Sequence, residues 1–480
     1  MFLHRTQKTG RDELRRASLQ IATLSSFLTP FMGSAVNIAL PSIGRDFSMG
    51  AVALAWISTA FLLAAAVCLV PVGRIADIYG RKMIFFTGAL VFTAATSLCA
   101  LAASPGMLIA CRFFQGVGSA MIFGTGTAIL VSVFSPQERG RVLGINVAAV
   151  YLGLSLGPFA GGLLTEYGGW RTIFLITVPP GIYLLFLVRW KLKEEWKDAA
   201  GENFDVFGSI LYGLAVVALI YGASVPPGGK GTALLFAGIV LLSLFILRER
   251  KTAHPILDVN LFRRNRVFAY SNIAALINYS ATFAVSFLLS LYLQFLKGFS
   301  PLHSGLILAS QPVMMSLFSP AAGSLSDRFE PQLIASSGMA LTFAGLLALV
   351  FIAPDTSLLY IIGTLVVLGI GFGLFSSPNT NAVMGSVEKN AYGVASGILA
   401  TMRIMGQTAS MAVVMLIFSL FMGQARITTE HHPYFLSSMK TILGILTFLC
   451  FLGIFASMAR GRMRGPSGPD PGGKESPGAC

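Results

Sequence analysis

Apolar runs of roughly twenty residues, separated by short polar turns, repeat along almost the whole chain. A membrane-spanning helix needs about 20 mostly apolar residues. On that measure the pattern predicts fourteen spans, at 17–40, 54–72, 83–103, 107–134, 142–164, 172–188, 206–223, 232–247, 267–296, 304–324, 332–352, 358–376, 392–422 and 435–458. The stretch "GASVPPGGKG" between the seventh and eighth spans reads as a turn. The Pro/Gly-rich end of the chain, 460–480, reads as a disordered tail.

Composition agrees with this picture. The chain of 480 residues is 55% hydrophobic and only 11% charged, where a soluble domain carries about 25% charged residues. The formal net charge of +14 does not indicate nucleic acid. That reading needs a basic patch on a folded domain, and here the basic residues lie between apolar runs. Cys68, Cys99, Cys111 and Cys450 sit inside apolar runs, Cys480 is in the tail, and no pair has metal or redox spacing. No nucleophile, base and orienting group form a set, so an enzyme is not expected, and neither is a cofactor or a metal. The first sixteen residues are charged and lack the apolar core of a signal peptide, so the first span is expected to persist in the mature protein.

Lys and Arg favour cytoplasmic loops. With the N-terminus inside, 26 of the 34 fall in inner segments and six in outer ones (Arg45, Arg171, Lys230, Lys297, Arg426 and Lys440). Arg112 and Arg403 lie within spans. The asymmetry places both termini in the cytoplasm and requires an even number of spans.

The turn after the second span, "GRIADIYGRK", concentrates charge in ten positions. Gly73 is expected to allow close helix approach and Gly80 a tight turn with positive φ. Asp77, four residues before Arg81, is placed to pair with it, and Lys82 follows. The bland reading is a solvated, positively charged loop. The functional reading is a latch, made in one conformation and broken in another. A partial echo, "GSLSDRFEP", follows the tenth span with Gly323, Asp327 and Arg328 but lacks the closing basic pair.

This turn resembles the signature loop of the major facilitator superfamily. "RFFQG" (Arg112, Gln115, Gly116) in the fourth span resembles a second motif of that superfamily. "GLSLGPFAGG" in the fifth matches an antiporter motif at Gly153, Gly157, Pro158, Gly161 and Gly162. Together with two extra spans in the middle, the chain is similar to the fourteen-helix drug/proton antiporters of the EmrB/QacA type. The resemblance implies an all-α major facilitator fold in which two six-helix bundles rock around a central cavity. It divides the chain into a cytoplasmic segment (1–16), a six-helix bundle (17–190) and two inserted helices with their loop (191–250). A cytoplasmic loop (251–266), a second bundle (267–459) and the tail complete it. The expected partners are a small-molecule substrate, the lipid bilayer and protons, and a monomer suffices. The five small or kinking residues of the antiporter motif also predict a tight helix contact on spacing alone.

One departure changes the expected chemistry. In the stretch "MGSAVNIALP" Met32 stands where the family carries an Asp, while Asn37 matches. All twenty acidic residues fall in loops, termini or helix ends, with Glu166 ending the fifth span and Asp205 beginning the seventh. Proton antiport needs a titrating group facing the cavity, and a buried carboxylate suits that role. Here the spans offer Arg112 and Arg403 instead. Arg403 shares one helix face with Ser396, Gln407 and Ser410. The ninth span carries a second stripe of Ser271, Asn278, Thr282, Ser286 and Ser290. Both stripes are expected to line the cavity, the alternative being hydrogen-bond glue between helices. The expected activity is secondary transport of small amphipathic molecules, most simply multidrug-type efflux. Two alternatives remain: a carrier for a neutral or anionic metabolite, and a non-transporting receptor or assembly subunit on the same fold.

Overall fold

The computed structural model describes the backbone of residues 2–135, 138–225, 229–252, 255–257, 259–388, 392–423 and 425–461, and their side chains except those of 2–11, 140, 259, 260 and 327. The expected disordered tail beyond 461 and the tip of the "GASVPPGGKG" turn, 226–228, lie outside these residues. Every regular element described is helical. In chain order they are α1 (Phe2–Asp46), α2 (Ala51–Tyr79), α3 (Arg81–Ala100), α4 (Pro105–Val133), α5 (Arg139–Gly168) and α6 (Arg171–Lys191). Then come α7 (Val206–Ser224), α8 (Gly229–Glu249), the short α9 (Val259–Arg264) and α10 (Arg266–Leu291). The last are α11 (Pro301–Arg328), α12 (Pro331–Val350), α13 (Leu358–Gly385), α14 (Tyr392–Phe421) and α15 (His432–Met458). Fourteen are long and apolar enough to cross a membrane, one for each predicted span.

Local chemistry sets the helix ends. Ser104 accepts from the Met107 amide and precedes Pro105 at the first helical position. Asn265 accepts from the Phe268 amide, and Asp205 from that of Gly208. Each supplies an acceptor that the first turn of a helix lacks. Gly80 separates α2 from α3 with φ at +132°, a conformation that L side chains avoid. Helix α1 runs straight through the charged N-terminal segment rather than starting at residue 17. α10 ends in a π-helical turn, Tyr292–Leu296.

The packing has an internal two-fold pattern. In the first six helices α5 and α6 pack on α1, α2 and α3 on α4, and α6 on α3. The last six repeat this with α14 and α15 on α10, α11 and α12 on α13, and α15 on α12. Between the bundles α5 meets α11 and α2 meets α14, two contacts that the same symmetry exchanges. α7 and α8 pair with one another, and α7 lies on both α2 and α14, covering that seam.

The side of the molecule carrying the α2–α3 turn is called the turn face below, and the other the far face. The bundles are closed at the far face. The Ser290 hydroxyl donates to the Asn37 carbonyl at 2.7 Å, and the Gln294 amide to the Ile38 carbonyl at 2.9 Å. The Ala51 amide donates to the Ala425 carbonyl at 3.1 Å. Toward the turn face, Gly73, Gly144, Gly393 and Gly397 border open space. Gly73 thus departs from expectation: in this conformation no neighbouring helix lies close enough for its missing side chain to matter.

Candidate functional site

The antiporter-motif helix, α5, works on two sides. A Cβ added to Gly153 would stand 2.5 Å from the Phe27 carbonyl oxygen, one on Gly157 3.0 Å from that of Phe31, and one on Gly161 2.7 Å from the Ala35 Cα. These three glycines therefore seat α1 against α5. Gly162 points the other way, to the second bundle, where a Cβ would stand 2.5 Å from the Pro301 carbonyl oxygen. Gly305 of α11 returns the contact against Pro158. Just beyond, Glu166 accepts from the Leu302 amide at 2.9 Å, an anion placed at the positive end of α11.

Midway along their helices the bundles meet at an aromatic and polar cluster. The Tyr151 hydroxyl on α5 donates to Ser376 on α13 at 3.1 Å. Tyr151 packs with Met315 and Phe372, and Tyr279 on α10 meets the Phe372 ring edge-on with centroids 5.1 Å apart. The Arg403 guanidinium lies 5.7 Å from the Tyr279 ring centre and donates to Thr380 at 2.7 Å. Arg403 is half-buried, its Nε has no partner, and no acid pairs with it among the described residues. Gln407 is half-buried one turn further along the same helix.

Other expected cavity residues are elsewhere. Arg112 is 1% exposed, inside the first bundle. It donates to the Ile57 carbonyl at 3.2 Å and to Gln115, and lies over the Phe61 ring at 4.5 Å. Gln115 is equally buried and donates to Thr96 at 2.7 Å. Arg112 and Gln115, both expected as cavity candidates, are thus enclosed within the first bundle in this structure, an arrangement that suits a fixed scaffold cation. Met32 is fully buried in the main core. Asn37 is buried and accepts from Ser58 at 2.9 Å. Asn278 and Thr282 are also buried. The Thr282 hydroxyl bonds its own helix at Asn278, while the Asn278 amide has no partner. Along the α10 stripe Ser271, Asn278 and Thr282 are buried, Ser286 is half-buried, and Ser290 reaches across to the first bundle at Asn37.

At the turn face Asp77 accepts two hydrogen bonds from Arg81, at 2.9 and 2.7 Å. Arg81 also reaches Ser132 on α4 at 2.7 Å. The linker after α6 then folds over the turn. Asp198 pairs with Arg81 at 2.6 Å, and Glu202 pairs with Arg74. Glu195 accepts from the amides of Lys82 (2.7 Å) and Met83 (3.2 Å), capping α3. A Cβ on Gly80 would stand 2.6 Å from the Glu195 carboxyl carbon, so a side chain there would displace the Glu195 cap, while the positive φ itself calls for glycine. Sequence reasoning missed these three acids. The available signal was their spacing, 195, 198 and 202, in an inner loop otherwise rich in lysine. In the second copy Gly323 packs against Ser377, Asn381 donates to Ser326 at 2.7 Å, and Arg328 is exposed at the end of α11. The Asp327 side chain lies outside the described residues.

Comparison with known proteins places this architecture. A riboflavin transporter of Clostridioides difficile (strain 630), RibZ, is 31% identical over 447 residues, covering 92% of this chain and 96% of that protein. The multidrug resistance protein Stp of Mycobacterium tuberculosis (strain CDC 1551 / Oshkosh) is 32% identical over 385 residues, covering 79% and 71%. A bacterial homologue of the human lysosomal transporter Spinster, solved in an inward-facing, unoccupied conformation, superposes with a TM-score of 0.66 at 16% identity, covering 94% and 97%. The family model described as Major Facilitator Superfamily matches residues 22–411. The chain, with its paired six-helix bundles, belongs to the Major Facilitator Superfamily.

Proposed function

We propose that this protein exports small amphipathic molecules across the cell membrane by alternating access, with both termini and the turn face in the cytoplasm. The observation that carries this reading is the pair of symmetry-related bundles, closed at the far face and meeting midway along their helices at an aromatic and polar cluster edged by the half-buried Tyr279 and Arg403. Such a cluster, mostly apolar with a few convergent polar groups, suits a small-molecule pocket. The names of the relatives, a riboflavin transporter and a multidrug resistance protein, agree with a small-molecule cargo. In this reading the protein stands in its inward-open state. The α2–α3 turn is the latch that is remade against the second bundle when the cycle turns outward. Gly162, Pro158 and Gly305 form the outer closure, and the protein works as a monomer.

A second reading concerns the cargo and the driving force, and it is favoured by Arg403. An intramembrane cation without an acid partner is costly and marks a substrate path. A neutral or anionic aromatic molecule satisfies the guanidinium and stacks on Tyr279; a strongly cationic one is repelled. The family's helix 1 acid is replaced by Met32, and no described Asp or Glu lies in the middle of a span. Proton antiport therefore lacks its usual site. An anion leaving a negative interior needs none, because the membrane potential contributes about 2.3 kcal/mol per charge per 100 mV, or roughly fiftyfold in concentration. The test is transport of an anionic and a cationic aromatic dye by proteoliposomes at fixed membrane potential. Transport of the anionic dye, abolished in Arg403→Gln and retained in part in Arg403→Lys, supports the reading. Preferential transport of the cationic dye overturns it.

A further inference from the structure

Where α7 begins and α8 ends, two carboxylates meet away from the central cluster. Asp205 caps α7, and its Oδ1 accepts from the Gly208 amide and from Arg248, each at 2.9 Å. Its side chain is 6% exposed. Glu249, the last residue of α8, is 1% exposed, and its Oε2 accepts from the Leu257 amide at 2.9 Å. Each acid thus has one oxygen engaged. The other two, Asp205 Oδ2 and Glu249 Oε1, are buried and without a partner. They converge on one point: a Cβ on Gly208 would stand 2.6 Å from Asp205 Oδ2 and 3.0 Å from Glu249 Oε1.

Two buried carboxylates facing each other do not both stay ionised, and one retains a proton. That proton is also the donor both idle oxygens lack. Arg248 is the one cation described in contact with the pair, and it is committed to the other side of Asp205. On α2, which packs on α7, Arg74 is held by Glu202 and Asp77 by Arg81. Burial pushes the Asp205 carboxyl up, but the Arg248 hydrogen bond and the Gly208 amide outweigh it and leave the group below the usual carboxylate range. The ion pair with Arg248 at 2.9 Å makes Asp205 the ionised partner.

We propose that Asp205 and Glu249 form a proton-binding site in which Glu249 Oε1 carries the proton and donates it to Asp205 Oδ2. The site joins two connections. Asp205 ends the linker whose Glu195, Asp198 and Glu202 hold the α2–α3 turn. Glu249 holds Leu257, on the segment leading into the second bundle. Loss of the proton sets two negative charges face to face and loosens both connections. The site lies outside the central cluster, so its proton regulates the cycle from the turn face and does not travel with cargo.

Infrared titration of the purified full-length protein through the neutral range tests this without any substrate, so its outcome is independent of the transport reading. A protonated-carboxyl stretch is expected that disappears in Glu249→Gln and shifts in Asp205→Asn. Should Glu249→Gln fail to fold, Glu249→Asp keeps an acid and is expected to move the band. A band that is the same in the wild type and in every foldable variant overturns the proposal. So does the absence of any such band together with stabilisation of the wild type, but not of Asp205→Asn, by added magnesium, which would make the pair a cation site.

Discussion

Gly162 on α5 and Pro301 at the start of α11 meet backbone to backbone, with only 2.5 Å between the Pro301 carbonyl oxygen and the place a Gly162 Cβ would occupy. No side chain fits there without moving a helix. Gly161, one residue earlier, makes an equally close contact but within its own bundle, against Ala35. Adjacent glycines thus serve different surfaces, one fixed and one between the bundles.

This separation predicts different failures. Gly161→Leu overpacks the α1–α5 contact, at a cost of about 1–3 kcal/mol or more, and should lower the thermal midpoint of the detergent-solubilised protein. Gly162→Leu should leave that midpoint nearly unchanged. It should instead hold the far face open, seen as increased thiol labelling of a cysteine introduced at Ser290, which is buried in the closed far face, with transport reduced at least tenfold.

Asp77→Asn weakens the pair with Arg81, which keeps Ser132 and Asp198 as partners. Because the buried Arg81 guanidinium stays paired through these two partners, expression and thermal stability should stay close to normal. Transport should fall severalfold, since the latch can no longer be remade. Wild-type transport by this variant would remove the latch from the account.

The acidic linker makes a separate prediction. Neutralising Glu195, Asp198 and Glu202 together removes the cap on α3 and both ion pairs. Limited proteolysis should then cut within 192–205 much faster than in the wild type, while the two bundles remain folded.

The lowered pKa of Asp205 gives a pH dependence of known sign. A carboxylate held below its unfolded value stabilises the fold above that unfolded value, and the contribution is lost as pH falls through the lowered pKa. The charged pair with Arg248 should therefore contribute fully at neutral pH. On the acid side, the difference in thermal midpoint between wild type and Asp205→Asn should shrink as pH falls through the lowered pKa.

Much of this arrangement was legible in the sequence, and the limits have physical causes. The fourteen spans followed from apolar runs long enough to cross a bilayer, a signal that tertiary context does not override. The Asp77–Arg81 pair and the positive φ of Gly80 followed from spacing and residue type within a single turn. What the sequence did not reveal depends on rotation about a helix axis. Arg112 and Arg403 are both lone cations in apolar spans, yet one faces Phe61 inside a bundle and the other Tyr279 between bundles. Periodicity assigns a shared face but not which neighbour that face meets, which is also why the burial of Asn278 and Thr282 on α10 was not foreseen. The linker acids and the Asp205–Glu249 pair join segments distant in sequence, beyond the reach of local pattern. The π-helical turn that carries Gln294 to Ile38 has no signature in residue type at all.

The central claim, that an arginine rather than a carboxylate governs the cavity, is tested most directly by following protons and cargo together. Proteoliposomes containing the unmodified protein and an anionic aromatic dye would be monitored for dye movement and for pH change at a clamped membrane potential. The account predicts dye transport that responds to the potential, with no dye-dependent proton movement. Protons crossing in fixed stoichiometry with the dye, and still doing so in Glu166→Gln, would contradict it.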